Sequence, residues 1–338
     1  MPAAPALSIL DQSPVISGHS PRQAIAATVE LAMAADRLGY RRYWLAEHHG
    51  LLGLADPCPE ILLTRIAAAT QRIRVGTGGI MLPYYSPFKV AEVFRMLEAL
   101  FPGRIDLGVG RAPGGDMRTA QAMSGGNYRG APEFAEQIIE VIGYLGGSLP
   151  DAHPYRDVVV QPAGSGMPEF WVLGSSDYGG ALAAALGLRF TFAHFITAQG
   201  GDVVARAYRE QFRRSALLQT PHSMVAAFVV CAETDAQAER LAASIDLRRL
   251  QMDQGINGPI PTLTEADAYR YTEGDRIRIG AHRQRAIIGA PERVHAALLA
   301  LRERYAADEI VIVTITGDYP SRLRSYELLA AAFGLGGN

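Results

Sequence analysis

The chain has 338 residues, 49% of them hydrophobic and 20% charged, the make-up of an ordinary globular protein. A net charge of −2 gives no electrostatic case for nucleic acid or an anionic membrane surface as partner. Two cysteines, Cys58 and Cys231, do not suggest a secreted disulfide scaffold and point to a reducing cytoplasm; no apolar run is long enough to span a bilayer, and Met1 to Ala6 lacks the basic start of a signal peptide.

Leu7–Asp11 reads as a first strand. Ser20-Pro21-Arg22-Gln23 is a capping box with Pro at the first helical position, and it predicts a helix that stops at Gly39. Arg42–Ala46 is the second strand and runs into Glu47-His48-His49; Pro59 opens a helix to Ala69. Ile73–Thr77 is strand three, interrupted by Gly78-Gly79, after which Ile80–Pro83 leads into a turn. Ser86-Pro87 opens the next helix, with Ser86 placed to accept from its first N–H groups and Val90, Val93, Phe94 and Leu97 as its apolar stripe. Arg104–Val109 is strand four, followed by Gly110-Arg111.

From Ala112 to Pro132 the chain is Gly-rich and polar, a long loop, and Phe134–Leu145 is helical. Phe170–Leu173 is strand five, Gly174–Gly180 a Gly/Ser turn, and Ala181–Leu186 a helix. Phe190–His194 is strand six, Asp202–Arg214 a helix, Met224–Cys231 strand seven and Asp235–Leu250 a helix. Asp253–Gly280 reads as irregular, a second insertion. Pro291 opens a helix, Glu309–Thr314 is strand eight, and a last helix runs to about Phe333. Eight strands alternating with helices, without a linker, predict one α/β domain over residues 1–338: a (β/α)8 TIM barrel with insertions after strand four and between strands seven and eight. A doubly wound open sheet is the alternative.

In such a barrel the chemistry sits on the loops after the strands, and the polar residues cluster there. His48 and His49 are neighbours on a strand and so point opposite ways, which argues against one shared metal; one of them at the barrel mouth suits acid–base chemistry, and the alternative is that both are structural. Gly78-Gly79 is either a simple bulge or a place where a flat ligand packs on backbone. Arg111, at a strand's C-terminal end, is a candidate anion ligand, or else a surface ion-pair residue. Ser175-Ser176 before Gly179-Gly180 stands at a helix N-terminus, a second anion-binding element or an ordinary cap. Neither a Walker A motif nor a Gly-x-Gly-x-x-Gly after the first strand is present.

Four segments together resemble the luciferase-like flavin monooxygenases: Trp44–His49, Val75–Pro83, Gly103–Arg111 and Val172–Ser176. The resemblance runs over nearly the whole chain. It implies a barrel that takes reduced FMN from a separate flavin reductase and uses O₂, through a C4a-peroxyflavin, to oxygenate a small organic substrate. It implies that the isoalloxazine lies against Gly78-Gly79, often a cis peptide in relatives. Arg111 and Ser176, with Ser175 and backbone up to Gly179, would hold the phosphate, and His48 would be the catalytic histidine. Gly110 stands where the light-emitting luciferase subunit has a reactive cysteine, so light emission is not implied. Tyr84, Tyr85, Tyr128 and His194 are candidate pocket liners, and a homodimer through the Ile61–Ala69 and Val90–Leu100 helices is expected by analogy. Competing readings are an F420-dependent hydride-transfer enzyme, a non-catalytic flavin-binding protein and a metal hydrolase.

Overall fold

A computed structural model describes residues 5–111, 114–126, 133–164 and 166–336. Among the described residues there are ten strands: β1 (Ala6–Asp11), β2 (Arg42–Leu45), β3 (Arg74–Thr77), β4 (Ile80–Met81), β5 (Ile105–Gly110), β6 (Glu169–Gly174), β7 (Arg189–Ala193), β8 (Ser223–Cys231), β9 (Ala286–Gly289) and β10 (Glu309–Val313). All their pairings are parallel. The ring runs β1-β2-β3-β5-β6-β7-β8-β10 and closes through Leu7↔Ile310. This is the (β/α)8 TIM barrel. β4 resumes the path of β3 beside β5 after the Gly78–Gly79 break, with Met81 opposite Gly110.

The helices are α1 (Pro21–Leu38), α2 (Pro59–Ala69), α3 (Pro87–Leu100), α4 (Met117–Met123), α5 (Phe134–Gly146), α6 (Asp177–Leu186), α7 (Gly201–Glu210), α8 (Asp235–Asp253), α9 (Leu263–Ala268), α10 (Glu273–Arg283), α11 (Pro291–Tyr305) and α12 (Tyr319–Ala332). The capping box at Ser20 and Gln23 forms, and Gly39 ends α1 in the left-handed conformation. Ser86 does not cap α3 with its side chain; Pro87 at the first position sets that start instead. None of the described helices is long and apolar enough to cross a membrane.

Two expectations need correction. Asp253–Gly280 is not irregular: it contains α9 and most of α10, each opened by a capping box, Thr262 with Glu265 and Thr272 with Asp275. Both are strongly polar, so no apolar stripe betrays them. The chain also holds a further strand, β9, which extends the sheet beyond the ring by pairing with the end of β8, Cys231 opposite Gly289. The loop after Arg111 includes the short helix α4.

Period-two alternation builds the barrel in two shells. Tyr43 and Leu45 face outward into the large core beneath the helices, while Trp44 and Ala46 face inward with Leu10, Trp171 and Met224. At the N-terminal end the inward layer is ionic. Arg42 donates to Asp106 at 2.8 Å, Glu169 at 2.9 Å and Glu309 at 3.1 Å, and Trp44 Nε1 donates to Asp106 at 2.9 Å. Trp44 and Trp171 meet edge to face above that layer, ring centroids 5.3 Å apart. Trp44, with Leu10 and Leu173, floors a cavity at the C-terminal end of the strands.

Candidate functional site

The cavity holds about 220 Å³ within its walls and opens to solvent at the barrel mouth. His48, Gly78 and Gly79 lie on its wall, as do Arg111, Ser175, Ser176 and Gly179. Elements far apart in sequence therefore deliver all seven candidate residues to one space. The same inward alternation that buries Arg42 and Trp44 carries through Ala46 to His48.

The Gly78–Gly79 peptide is cis. A side chain on Gly78 would press on Leu10 and Trp44, its Cβ 2.7 Å from Leu10 Cδ1; one on Gly79 would meet the Gly108 carbonyl oxygen at 2.7 Å. Only glycine lets the backbone form the wall here. A planar ring could lie flat against such a surface.

Another part of the wall is the start of α6. Ser176 is the N-cap of α6, its side chain makes no capping bond, and Ser175 and Gly179 flank it on the cavity wall. The helix begins at Asp177, four residues earlier than the sequence suggests, so Gly179 lies within its first turn. The helix dipole and first-turn N–H groups face this end of the cavity. The Arg111 guanidinium stacks over the Tyr178 ring at 4.3 Å, which anchors a cation beside the start of α6. Tyr178 also lines the cavity and went unnoticed in the sequence.

His48 is half-buried, and its Nδ1 is buried with no hydrogen-bond partner. Burial lowers its pKa below the usual imidazole value, so at neutral pH the ring is uncharged and able to accept a proton. Its backbone N–H donates to the Asp56 carbonyl at 3.2 Å. His49 turns the other way, as strand alternation requires. Its Nε2 donates to Glu47 Oε1 at 2.6 Å, and Glu47 also accepts from Tyr85 Oη at 2.7 Å and from Met81 N–H at 2.9 Å. Glu47 thus clamps the segment that follows Gly78–Gly79 onto β2, a function the sequence did not reveal.

The pocket-liner expectations fare less well. Among the described residues, Tyr84, Tyr85 and His194 are not on the wall. Tyr85 serves Glu47, and Tyr84 packs edge-on against His49. His194 Nδ1 meets Tyr305 Oη at 2.9 Å, and burial, with the Arg304 cation, holds it down to about 4, a neutral structural histidine. Its neighbours Ala193 and Phe195 line the cavity instead. Tyr128 lies outside the described residues. Among the described residues no group of three or more His, Cys, Asp or Glu is arranged to hold a metal ion.

The fold is a TIM barrel with a cavity at the C-terminal mouth, where enzymes of this architecture place their chemistry. The family profile described as luciferase-like monooxygenase matches residues 7–308, and the chain belongs to that family. YceB of Bacillus subtilis is 46% identical over 97% of this chain and 99% of its own length. The N-acetyl-S-alkylcysteine monooxygenase of the same organism is 34% identical over 96% and 97%. The crystal structure of apo-MsnO8 superposes with a TM-score of 0.91 at 39% identity, covering 98% of this chain and 99% of that one.

Proposed function

We propose that this chain, one domain over residues 1–338, is a monooxygenase that uses reduced FMN and O₂ to oxygenate a small organic substrate. What supports the reading most is that His48, Gly78–Gly79, Arg111 and Ser175–Ser176 meet on one cavity wall. When bound, reduced FMN would supply the electrons that activate O₂. The glycine wall would bear its ring system. Arg111, the Ser175 and Ser176 hydroxyls and the backbone N–H groups up to Gly179 would hold its phosphate. His48, neutral and facing the cavity, would take a proton at a ring nitrogen as substrate or cofactor reacts. Trp44, Leu10 and Leu173 floor the cavity with apolar surface and so exclude water from beneath the reacting groups.

A diffusible reduced cofactor calls for a separate flavin reductase as partner. Exposed Ile61, Met96 and Leu100 border a groove between α2 and α3, and we assign that face to a homodimer contact in the cytoplasmic enzyme. The substrate named for the B. subtilis N-acetyl-S-alkylcysteine monooxygenase is a small organic molecule, in keeping with the class proposed here.

The test is an anaerobic titration of the purified chain with reduced FMN and, in parallel, reduced F420, followed by O₂ and a rapid absorbance scan. Tight binding of reduced FMN with an oxygen-dependent near-ultraviolet transient is expected. Binding of F420 alone, without a transient, would replace this reading with hydride transfer. His48→Ala should abolish product formation and leave FMN affinity nearly unchanged; surviving activity would remove His48 from the mechanism.

A further inference from the structure

A second cavity adjoins the first, and Gln12, His48 and Phe195 line both. Its barrel side is apolar, formed by Leu54, Phe228, Ile260 and Ile315. Its outer side comes from α8, α10 and the residues just before β9, and it is basic: Arg248, Arg249, His282 and Arg285 all face the space. Asp253 is the single carboxylate on the wall among the described residues, and it lies 3.2 Å from His282 Nε2.

The three arginines are held by carbonyls and a ring rather than by ion pairs. Arg248 donates to the Ile256 carbonyl and Arg285 to the Ile196 carbonyl, each at 2.8 Å. Arg249 lies over the Phe228 ring at 4.6 Å. Among the described residues, none of the three is within ion-pairing distance of a carboxylate. Asp246, one turn back on α8, gives its Oδ2 to Arg283 at 2.6 and 2.9 Å and offsets the Arg249 charge only from a distance. Two fully buried arginines elsewhere are paired, Arg42 with three carboxylates and Arg322 with Asp11. Burial, with the Arg285 cation adding to it, holds Arg249 down to about 10, so it stays charged at neutral pH while partly removed from water. Each guanidinium offers a fork of donors shaped for a carboxylate. The His282 Nδ1, also buried, has no partner either.

We propose that the substrate is an organic acid whose carboxylate is held in this second cavity by Arg249, with Arg248 and Arg285 beside it, while its apolar body runs along Phe228 and Ile315 to a reacting end at His48. The inference rests on the first cavity being the cofactor site. It makes His48 and Phe195 the junction where substrate and cofactor meet.

The experiment is calorimetric titration of the full chain with two pairs of probes, octanoate against octanamide and 4-phenylbutyrate against 4-phenylbutyramide, with a separate anaerobic titration of every protein with reduced FMN, the form meant by FMN below. Each acid should bind at least about tenfold more tightly than its amide, and the preference should shrink at high salt. Arg249→Met keeps an apolar side chain over Phe228 without the charge and should weaken acid binding about ten- to a hundredfold; Arg249→Lys should recover part of it. FMN affinity should be the same in all three proteins, which also reports that the barrel is intact. Equal binding of acid and amide, no acid binding at millimolar concentration, or an acid preference that survives Arg249→Met would overturn the proposal. If FMN binds and the acid preference is absent, this inference alone fails; if FMN does not bind the wild-type chain, the cofactor reading fails.

Discussion

Glu47 Oε1 and His49 Nε2 stand 2.6 Å apart where the chain continues beyond β2, on either side of His48 in sequence. The three consecutive residues therefore divide their work. His48 faces the cavity, while Glu47 and His49 tie down the backbone that carries the glycine wall. Both Glu47 oxygens are engaged, with Tyr85 and His49 on one and the Met81 N–H on the other. Burial and the Glu47 carboxylate in turn hold the Tyr85 phenol well above its usual range, so it remains a donor.

Glu47→Gln tests that division. An amide must present an NH₂ group either to the Met81 N–H or to the Tyr85 and His49 donors, leaving a buried donor unmatched at a cost of about 1–3 kcal/mol. We expect a lower urea midpoint and weaker FMN binding together, because the segment holding Gly78–Gly79 loosens. His48→Gln, by contrast, should leave the midpoint near the wild-type value. Separate loss of stability without loss of FMN affinity in Glu47→Gln would disconnect Glu47 from the wall.

The barrel was legible because eight apolar runs recur with helices between them, and strand ends carry the polar residues that such barrels place at one mouth. Gly78–Gly79, Arg111 and Ser175–Ser176 were visible for the same reason. What stayed hidden depends on partners distant in sequence. Arg42 opens a strand and looks like a surface residue, yet its acids lie 64, 127 and 267 positions away. Arg248 and Arg249 sit on a helix whose apolar and polar faces give no hint of a cavity. The helices α9 and α10 could have been found from Thr262…Glu265 and Thr272…Asp275, capping signatures that stand without the apolar stripe expected beside them.

Arg42→Met should be among the most destabilising single changes in this chain. Burial alone would disfavour the charge, but Asp106, Glu309 and Glu169 outweigh it and hold the guanidinium firmly protonated. Removing it leaves buried Asp106 and Glu309 facing each other beside part-exposed Glu169, with only Arg74, Arg189, Arg41 and His222 at their rim, a loss of about 3–5 kcal/mol at neutral pH. The loss should depend on pH. Glu309 sits at about 2 in the folded chain against 4.5 unfolded: burial works to raise it, and His222, Arg42 and Arg41 overcome that. Its contribution is complete above pH 4.5 and fades as pH falls towards 2. Wild type and Arg42→Met should therefore differ most at pH 7 and converge in acid, as read by urea unfolding at a series of pH values. A constant difference across that range would refute the role given to the ion pairs.

Asp56 predicts the opposite slope. Its carboxyl is buried, Oδ1 accepts from the Cys58 N–H at 3.2 Å, and Oδ2 has no partner. Burial raises its pKa to about 7; the Cys58 N–H opposes this, while the negative charges of Asp11, Glu60 and Glu47 add to it. Between 3.8, its unfolded value, and 7 the folded chain holds a proton that the unfolded chain has released, so this group makes stability fall as pH rises through that window, by an amount on the order of 4 kcal/mol at most. Asp56→Asn keeps an acceptor for Cys58 and cannot ionise. Relative to wild type it should be neutral near pH 4 and gain stability steadily to pH 8, by about 2–4 kcal/mol. Comparing the two proteins at each pH cancels the contributions of Glu309 and the other carboxylates. Urea curves for the pair at pH 4, 6, 7 and 8 decide it: parallel behaviour would mean that Asp56 is ionised throughout, and that the loop whose carbonyl holds the His48 N–H tolerates a buried charge.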